Sequence, residues 1–297
     1  MKILVFGSSS RVSRVFNKFF KKHQIINLQR IKKRHLKLKN IIYYNNLFEV
    51  KIGKLIKETE VVINFAGESI NSNKMFNSNV LFIKNLTDQI NKYNKKCFFI
   101  HLSTCGIYQD TSDSVRNISE KTSVVPSQVY PKTKYFGENY ILRNCKSRKL
   151  IIRPAQILGL GMSNSSIYRL KYYLKKNLFF FINDKTALWS FTDINNLMSC
   201  IDYFLNKKNI NISNINIAST IKLSDVILSL KRKFKIFSFQ PTININFVSL
   251  MIRIAEVFKI NHPLKKNVIR SLTLKKRFNS DQIRKIIKLT DFEDVEY

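Results

Sequence analysis

The stretch that decides the fold is KILVFGSSSRVS, residues 2–13. The run that ends at Phe6 is almost wholly apolar and is closed by Gly7, which is typical of a strand buried on both faces of a parallel sheet. Serines then predict a turn, and from Arg11 onward apolar residues recur at helical spacing. A strand, a tight turn and an amphipathic helix in this order begin a βαβ unit.

The same alternation continues outward from this unit over the first half of the chain. Further strands are predicted at residues 24–28, 41–44, 60–65, 97–102 and 150–152, and helices at 11–22, 80–93 and 130–144. The sequence therefore predicts an α/β fold, a Rossmann-like doubly wound parallel sheet with helices on both faces and right-handed crossovers. In such a sheet the ligand lies at the carboxyl ends of the strands.

The pattern loosens after about residue 155. Helices are predicted at residues 165–176, 195–206, 224–234, 248–258 and 280–289, with a strand at 215–218. We therefore expect a Rossmann-like domain over residues 1–160 and a smaller mixed, mainly helical C-terminal lobe over residues 161–297. Some of the second half is expected to return to the sheet.

The composition is that of a folded protein without a membrane segment. Of the 297 residues 44% are hydrophobic, which suffices for a sizeable core. The most apolar stretch, residues 243–260, is interrupted by Arg253 and Glu256, so no transmembrane helix is expected. The first strand is too short for a signal peptide and the scattered cysteines suit reduced thiols, so we expect a cytoplasmic protein. Neither cysteines nor histidines have metal-ligand spacing, and no metal is predicted.

The net charge of +33 admits two interpretations. One is a surface that binds nucleic acid or anionic membranes. The other, which we favour, is a lysine-rich composition spread along the whole chain, because only residues 30–39 form a real cluster. An anionic substrate would also suit this charge.

Three short segments lie at the ends of successive predicted strands: residues 64–67, 101–108 and 153–159. A fourth, residues 130–134, opens the helix that precedes the last of these strands. Their order resembles that in the extended short-chain dehydrogenase/reductases, a family that includes nucleotide-sugar epimerases, dehydratases and reductases. The resemblance covers residues 1 to about 200 and continues more faintly to the C-terminus. It implies an NAD(P)-dependent enzyme in which the first domain binds the cofactor and the lobe binds the substrate.

The catalytic pair that the resemblance implies is Tyr130 and Lys134. Tyr-x-x-x-Lys occurs three times here, also from Tyr172 and from Tyr203, but only Tyr130 lies between the Ser-Thr and Arg-Pro strand ends. Residues four apart share a helical face about 6 Å apart, so the ammonium can approach the phenol. A charge about 4 Å away can bring a tyrosine pKa from about 10 to about 7. Tyr130 would then exchange a proton with the substrate as hydride moves.

A hydroxyl that holds the substrate oxygen is implied at Thr104, with Ser103 beside it as a further substrate contact. The alternative for Thr104 is a strand-end cap. Sugar dehydratases of this family carry an acidic pair directly after the threonine, and Cys105 and Gly106 stand there in this chain. Dehydration is therefore disfavoured, and epimerisation or carbonyl reduction remains.

The turn after the first strand is the place for a phosphate loop, where a helix N-terminus meets a pyrophosphate. The family usually carries G-x-x-G-x-x-G there, but Ser10 and Ser13 replace the second and third glycines. A plain strand–turn–helix is the alternative interpretation. The candidate cofactor contacts in this turn are Gly7, Ser9, Ser10, Arg11 and Val12.

The end of the second strand favours NADP over NAD. No carboxylate ends the segment HQIINLQR, residues 23–30, whereas Arg30 does, with Lys32, Lys33 and Arg34 beyond. A guanidinium can bind a 2′-phosphate with two hydrogen bonds. The alternative is that these are solvated surface charges.

The resemblance adds further contacts. Asn46 occupies the position that usually meets adenine, Ala66 and Gly67 would lie against the ribose or pyrophosphate, and Pro154 near the nicotinamide. Gln156 stands where a substrate-binding asparagine is common.

The second half carries fainter signals. Residues 241–284 resemble the tail of reductases and epimerases of amino-sugar nucleotides that act in surface polysaccharide synthesis, and Arg253, Arg270 and Lys275 are candidate phosphate partners. The resemblance also implies a homodimer through the helices at 80–93 and 130–144. A different hypothesis is a catalytically weakened protein of this fold that binds RNA or another polyanion, although nucleic acid is the less favoured partner.

Overall fold

The computed structural model describes residues 1–30, 40–108, 117–162, 165–207, 212–261, 264 and 266–296. Its strands are β1 (Lys2–Phe6), β2 (Gln24–Arg30), β3 (Ile41–Tyr44), β4 (Val61–Asn64), β5 (Phe98–Leu102), β6 (Asn117–Ile118), β7 (Arg148–Pro154), β8 (Gln156–Leu158), β9 (Phe181–Ile182), β10 (Leu188–Asp193), β11 (Asn214–Ile217), β12 (Ser219–Lys222), β13 (Thr242–Ile243) and β14 (Arg277–Phe278).

The helices in the described part of the chain alternate with these strands. They are α1 (Arg11–Phe19), α2 (Val50–Lys57), α3 (Ser72–Phe76), α4 (Phe82–Tyr93), α5 (Val129–Asn144), α6 (Ser165–Lys175), α7 (Ile194–Asn206), α8 (Leu223–Phe234), α9 (Ile245–Val257), α10 (Lys266–Thr273) and α11 (Asp281–Arg284). A π-helical turn at Asn77–Leu81 joins α3 to α4, and 3₁₀ turns lie at Cys105–Tyr108 and Phe292–Asp294. Within the described chain, each helix is too short or too polar to cross a bilayer.

The central sheet has the order β3-β2-β1-β4-β5-β7-β11, and all neighbouring strands in it are parallel. The order reverses at β1, which lies between β2 and β4. In open α/β sheets the ligand binds at this switch point, outside the carboxyl ends of the strands. The predicted Rossmann-like doubly wound sheet is confirmed.

Alternate residues of β1 enter two separate cores, one on each face of the sheet. Ile3 and Val5 pack with α1 and α7, whereas Leu4 and Phe6 pack with α2, α4 and α5. Since successive strand residues point to opposite faces, a wholly apolar strand needs a helix layer on each side.

The second half of the chain builds the smaller lobe and also completes the sheet. A three-stranded sheet β8-β10-β12 and helices α6 and α8 surround a third core that includes Phe191, Leu230 and Phe292. Helix α7, however, packs on the central sheet, and β11 is its edge strand next to β7. The exact division at residue 160 therefore stays a prediction.

Most predicted bounds differ from those observed by a few residues, and the last helix is shorter than predicted, Asp281–Arg284 rather than residues 280–289. Two of the differences have a clear cause. Helix α1 ends at Phe19 rather than at residue 22, because Phe20 turns fully into the core and the chain bends there to begin β2. Strand β2 continues past residue 28 to Arg30, because Gln29 and Arg30 pair with Tyr43 and Tyr44 of β3.

Candidate active site

A cleft of about 750 Å³ lies at the carboxyl edge of the central sheet, between the sheet and the lobe. It brings together predicted residues from five separate places in the first 160 residues of the chain. Those that line it are Val12, Ala66, Gly67, Ser103, Thr104, Tyr130, Lys134, Pro154 and Gln156.

Thr104 and Tyr130 are directly connected. The Thr104 hydroxyl is hydrogen-bonded to the Tyr130 hydroxyl and also accepts a hydrogen bond from the backbone N–H of Gly106 at 3.0 Å. Burial raises the pKa of Tyr130 above 10.0, and the Thr104 bond acts in the opposite direction with less effect. Tyr130 is therefore a neutral phenol at ordinary pH, ready to donate a proton.

Lys134 lies one helical turn further along α5, with its side chain 4% exposed. Its Nζ donates to the carbonyl oxygen of Leu102 at 2.7 Å and lies 3.4 Å from Nε2 of His101. Burial lowers the pKa of Lys134 from 10.5 to about 8, and the nearby Glu138 carboxylate only partly opposes this.

The expected lowering of the Tyr130 pKa by Lys134 is not found in this arrangement. The shift has the opposite direction, because burial dominates at the phenol. The lysine is turned onto the carbonyl oxygen of Leu102, and its own charge is disfavoured by burial. The spacing was enough to predict that the two residues lie in one cleft, but not the direction in which the pKa of Tyr130 is shifted.

A histidine for which no motif was recognised lies against Lys134. Asn64 is fixed because its Oδ1 accepts from the N–H of Ala66 at 3.1 Å, so its Nδ2 faces Nδ1 of His101 at 3.0 Å. Burial, followed by the charge of Lys134, lowers the pKa of His101 well below 6.5. With Nδ1 accepting, the neutral ring carries its proton on Nε2, so the ring presents a donor and not an acceptor to the ammonium.

Beneath the strand end lies a buried ion pair that joins α5 to β7. Arg153 donates from Nε and Nη2 to Glu138 Oε2 at 2.9 and 2.6 Å, and from Nη1 to the Tyr108 hydroxyl at 2.6 Å. The Ser103 hydroxyl donates to the other oxygen of Glu138. Ser103 thus holds the strand end that carries Thr104, and its contact with substrate stays a prediction.

Asn79, in the π-helical turn, is a second residue without a sequence signal. It is 1% exposed. Its Oδ1 accepts from the N–H of Glu68 and its Nδ2 donates to the carbonyl oxygen of Glu68, both at 2.9 Å. The same Nδ2 donates to the Thr133 hydroxyl at 3.1 Å. The loop that contains Gly67 is thereby fixed to α5. A side chain on Gly67 would approach Asn79 Oδ1 at 3.1 Å and Lys134 Nζ at 3.8 Å.

The serine-rich turn keeps the geometry of a phosphate loop. Gly7 has φ +80°, and a Cβ there would lie 2.3 Å from the backbone N of Ala66, so only glycine fits. Ser10 caps α1 by accepting from the N–H of Ser13 at 3.0 Å. Ser13 is fully buried where α1 approaches β2, a role that needs a small side chain rather than a glycine.

These residues fit a dinucleotide. The first-turn N–H groups of Arg11 and Val12 precede the internal hydrogen bonds of α1, and Val12 lines the cleft. The side chains of Ser9 and Arg11 are exposed beside it. The donor set is that of a pyrophosphate site at a helix N-terminus.

The adenosine end of this site would lie at the tips of β2 and β3. Arg30 is exposed there and hydrogen-bonds the Tyr44 hydroxyl. The side-chain oxygen of Asn46 accepts from the N–H of Phe48 at 2.9 Å, so the adenine contact expected of Asn46 stays a prediction. Lys32, Lys33 and Arg34 lie outside the described residues.

The lobe supplies the other wall of the cleft. Arg270 and the buried Lys276 line it, together with Trp189, and Gln156 is hydrogen-bonded to Ser166. Of the other candidate phosphate partners, Lys275 forms a surface ion pair with Asp184 at 2.6 Å instead, and Arg253 lies on the exposed helix α9. Sequence spacing could not separate these cations, because only the packing of the lobe decides which of them face inward.

Comparisons with known proteins agree with this geometry. The sequence profile of the NAD dependent epimerase/dehydratase family matches residues 3–218. No curated protein matches the sequence.

Many solved structures share the fold. UDP-glucuronic acid 4-epimerase from Bacillus cereus in complex with NAD superposes with a TM-score of 0.66 at 18% identity, over 97% of this chain and 100% of that one. A hypothetical dTDP-4-dehydrorhamnose reductase from Sulfolobus tokodaii gives 0.69 at 16% identity, over 100% and 97%. RMD from Pseudomonas aeruginosa, complexed with NADPH, gives 0.58 at 16% identity, over 82% and 87%.

Proposed function

Because the chain belongs to the NAD dependent epimerase/dehydratase family and is an enzyme of the extended short-chain dehydrogenase/reductase type, we propose that it acts on a nucleotide-linked sugar with NADP(H) as its preferred cofactor. The reaction is a carbonyl reduction or an epimerisation, and we favour reduction. We further propose a place in surface polysaccharide synthesis, which rests on the resemblance of the C-terminal stretch alone.

The observation that carries the proposal is the hydrogen bond between Thr104 and Tyr130 in the cleft that Lys134 also lines. A bound nicotinamide would supply or accept the hydride. Tyr130 gives its phenolic proton to the substrate oxygen, and Thr104 holds that oxygen beside the phenol. Lys134 lines the same cleft one helical turn away, but in this arrangement it donates to the Leu102 carbonyl, and Thr104 is the group that favours the phenolate. Because the phenol is neutral, it holds the proton that reduction of a carbonyl requires, and this favours reduction as the first step.

The preference for NADP rests on Arg30. It is the last residue of β2, it is exposed, and it lies beside the Tyr44 hydroxyl at the tip of the sheet. No carboxylate stands at this strand end to bind the ribose hydroxyls of NAD.

An anionic substrate is supported by Arg270 and Lys276, which carry positive charge to the lobe wall of the cleft. A pyrophosphate between nucleoside and sugar is a dianion that such groups would bind. Elimination of water is disfavoured, because Cys105 and Gly106 stand where a dehydratase would carry carboxylates. Cys105 is 4% exposed and burial raises the pKa of its thiol, so it cannot take their place.

The test combines cofactor titration with one conservative substitution. NADPH is expected to bind more tightly than NADH, and Arg30→Ala to weaken NADPH by about tenfold while leaving NADH unchanged, both measured by cofactor fluorescence. Tyr130→Phe should reduce NADPH oxidation with 4-keto nucleotide sugars by about 10²-fold or more, with NADPH affinity retained. Tyr172→Phe, which removes the phenol of a second Tyr-x-x-x-Lys on the exposed surface, is the matched control.

Retention of turnover in the Tyr130→Phe protein would contradict the proposal, as would RNA binding without any nicotinamide binding. A purified protein that retains NAD tightly and interconverts two sugars without consuming NADPH would identify an epimerase instead.

A further inference from the structure

Helix α9 carries an apolar stripe that no described part of the chain covers. Its members recur at intervals of three and four residues, so they lie on one face of the helix. They are Phe247, Leu250, Met251, Ile254, Val257 and Phe258, with exposed fractions of 55, 53, 53, 45, 76 and 72%. We call this set the α9 stripe.

The stripe is not the face by which α9 packs on its own lobe. That face holds Val248, which is 2% exposed, with Ile252 and Ala255 half-buried on the same side. The helix is thus apolar on two sides, and a helix that is apolar all round is normally buried. Single exposed apolar residues are ordinary, but six that form one continuous face mark an interaction surface.

The charge around the stripe decides which partner fits. Between residues 231 and 276 the sequence contains eleven lysines and arginines and a single acidic residue, Glu256. Arg270 and Lys276 line the cleft and Lys275 pairs with Asp184. Lys235 at the end of α8, Arg253 on α9 and Lys259 just after it are exposed. Two strongly exposed aromatic side chains, Phe237 at 95% and Phe239 at 78%, follow the basic end of α8 in this segment. An amphipathic surface with aromatic and apolar groups amid dense positive charge is the type that lies in a membrane interface.

The same charge disfavours a second copy of the chain as the occupant. A symmetric contact through α9 would bring two basic lobes together, each part of a molecule with net charge +33. An anionic surface is instead attracted from a distance, and each basic residue near it adds to the binding.

We propose that the α9 stripe docks on a bilayer that contains anionic lipids, with α9 lying in the plane of the interface and the protein attached peripherally. The stripe supplies apolar contact and the surrounding lysines and arginines supply attraction to the headgroups. This surface belongs to the lobe that forms one wall of the cleft, so docking would hold the cleft close to the membrane. The proposal is independent of the reaction proposed above.

The test uses the full-length protein and sedimentation with vesicles of phosphatidylcholine alone or with about one third phosphatidylglycerol. Binding is expected to the anionic vesicles only, and it should weaken as salt is raised. Because a strongly basic protein could bind anionic lipid by charge alone, the decisive variant leaves the charge unchanged. Leu250→Ser with Ile254→Ser should reduce partitioning by at least tenfold, whereas Phe19→Ser with Phe76→Ser, exposed apolar residues elsewhere, should not.

A second measurement does not depend on the folding of the serine variant. Phe247→Trp places an indole in the stripe, and its emission should shift to the blue with anionic vesicles and stay unchanged with neutral ones. Equal binding by the serine variant, equal binding to both lipids or no binding would overturn the proposal. So would a dimer in sedimentation equilibrium that Leu250→Ser with Ile254→Ser dissociates, or binding to RNA but not to vesicles.

Discussion

At the scale of one residue, the position of Lys134 could be predicted from the sequence, but its pKa could not. The spacing from Tyr130 and the flanking strand ends were enough to place it in the cleft. Its burial, its bond to the Leu102 carbonyl and its contact with His101 come from residues that are distant in sequence and carry no motif. An ammonium that is buried with few compensating partners destabilises the folded state, so the catalytic candidate carries a cost in stability.

We therefore expect Lys134→Met to be more stable than the natural chain at pH 7. The natural Lys134 has a pKa of about 8 in the folded protein, against the ordinary lysine value of 10.5 in the unfolded chain, so below pH 8 its protonation opposes folding. Between pH 8 and 10.5 the unfolded chain binds more protons, and the stability of the natural protein rises with pH. The methionine variant should gain about 2 to 3 kcal/mol below pH 8 and lose that advantage by pH 10.5.

Urea unfolding at several pH values measures this difference. Lys132→Met, an exposed lysine on the same helix, is the control and should change stability little at any pH. An advantage of Lys134→Met that is absent or that does not depend on pH would show that the lysine is not forced toward its neutral form.

At the scale of elements, the contact between α5 and the π-helical turn reverses the usual effect of a helical glycine. Alanine is normally about 1 kcal/mol more favourable than glycine inside a helix. At Gly137, however, a Cβ would lie 2.3 Å from the carbonyl oxygen of Asn79, a backbone atom that cannot swing aside. The close approach of α5 fixes this turn, whose Asn79 side chain holds the loop that contains Gly67.

Gly137→Ala is therefore expected to destabilise the protein by about 1 to 3 kcal/mol, the range found for overpacked cores. It should also weaken nicotinamide binding, since Gly67 lines the cleft. Thermal unfolding and NADPH titration are the measurements, with Lys132→Ala on the exposed side of α5 as the comparison. A stabilised Gly137→Ala protein would mean that the two helices separate without strain.

The elements that could be predicted are those whose signal is local. The strands of the central sheet appear as apolar runs because both of their faces are covered, and α1 and α7 have apolar residues at helical spacing. Helix α2 was not predicted, since it is short and contains Gly53. Strands such as β6 and β14 have two residues each and exist only because they pair with each other across the fold. In the sequence, Ser10 and Ser13 look like replaced glycines of the phosphate loop. Their roles become clear only in the structure, where Ser10 caps α1 and Ser13 is buried at the contact of α1 with β2.

At the scale of the whole molecule, the two halves share the core on the α1 and α7 face of the sheet and one excess of charge. Helix α7 and strand β11 belong to the second half but pack with the central sheet, so the sheet cannot form its full core without that half. With 52 basic and 19 acidic side chains, even complete pairing would leave 33 cations without an acidic partner. Repulsion among them acts against the compact state everywhere at once.

Screening by salt should therefore stabilise the protein. The midpoint of thermal unfolding is expected to rise with NaCl from about 0.02 to 0.3 M, by roughly 2 to 4 °C for each kcal/mol of repulsion removed. Circular dichroism follows the whole chain, and the fluorescence of Trp189, the single tryptophan, follows the lobe. Because the halves share a core, both signals should shift together.

A variant with less charge separates screening from other effects of salt. Glutamine at four exposed lysines should raise the midpoint at low salt and flatten its dependence on NaCl, since less repulsion is left to screen. Suitable positions are Lys21, Lys95, Lys146 and Lys175. An equal salt slope in both proteins would mean that the excess charge is already neutralised by bound anions, and that the folded state does not experience the repulsion its composition implies.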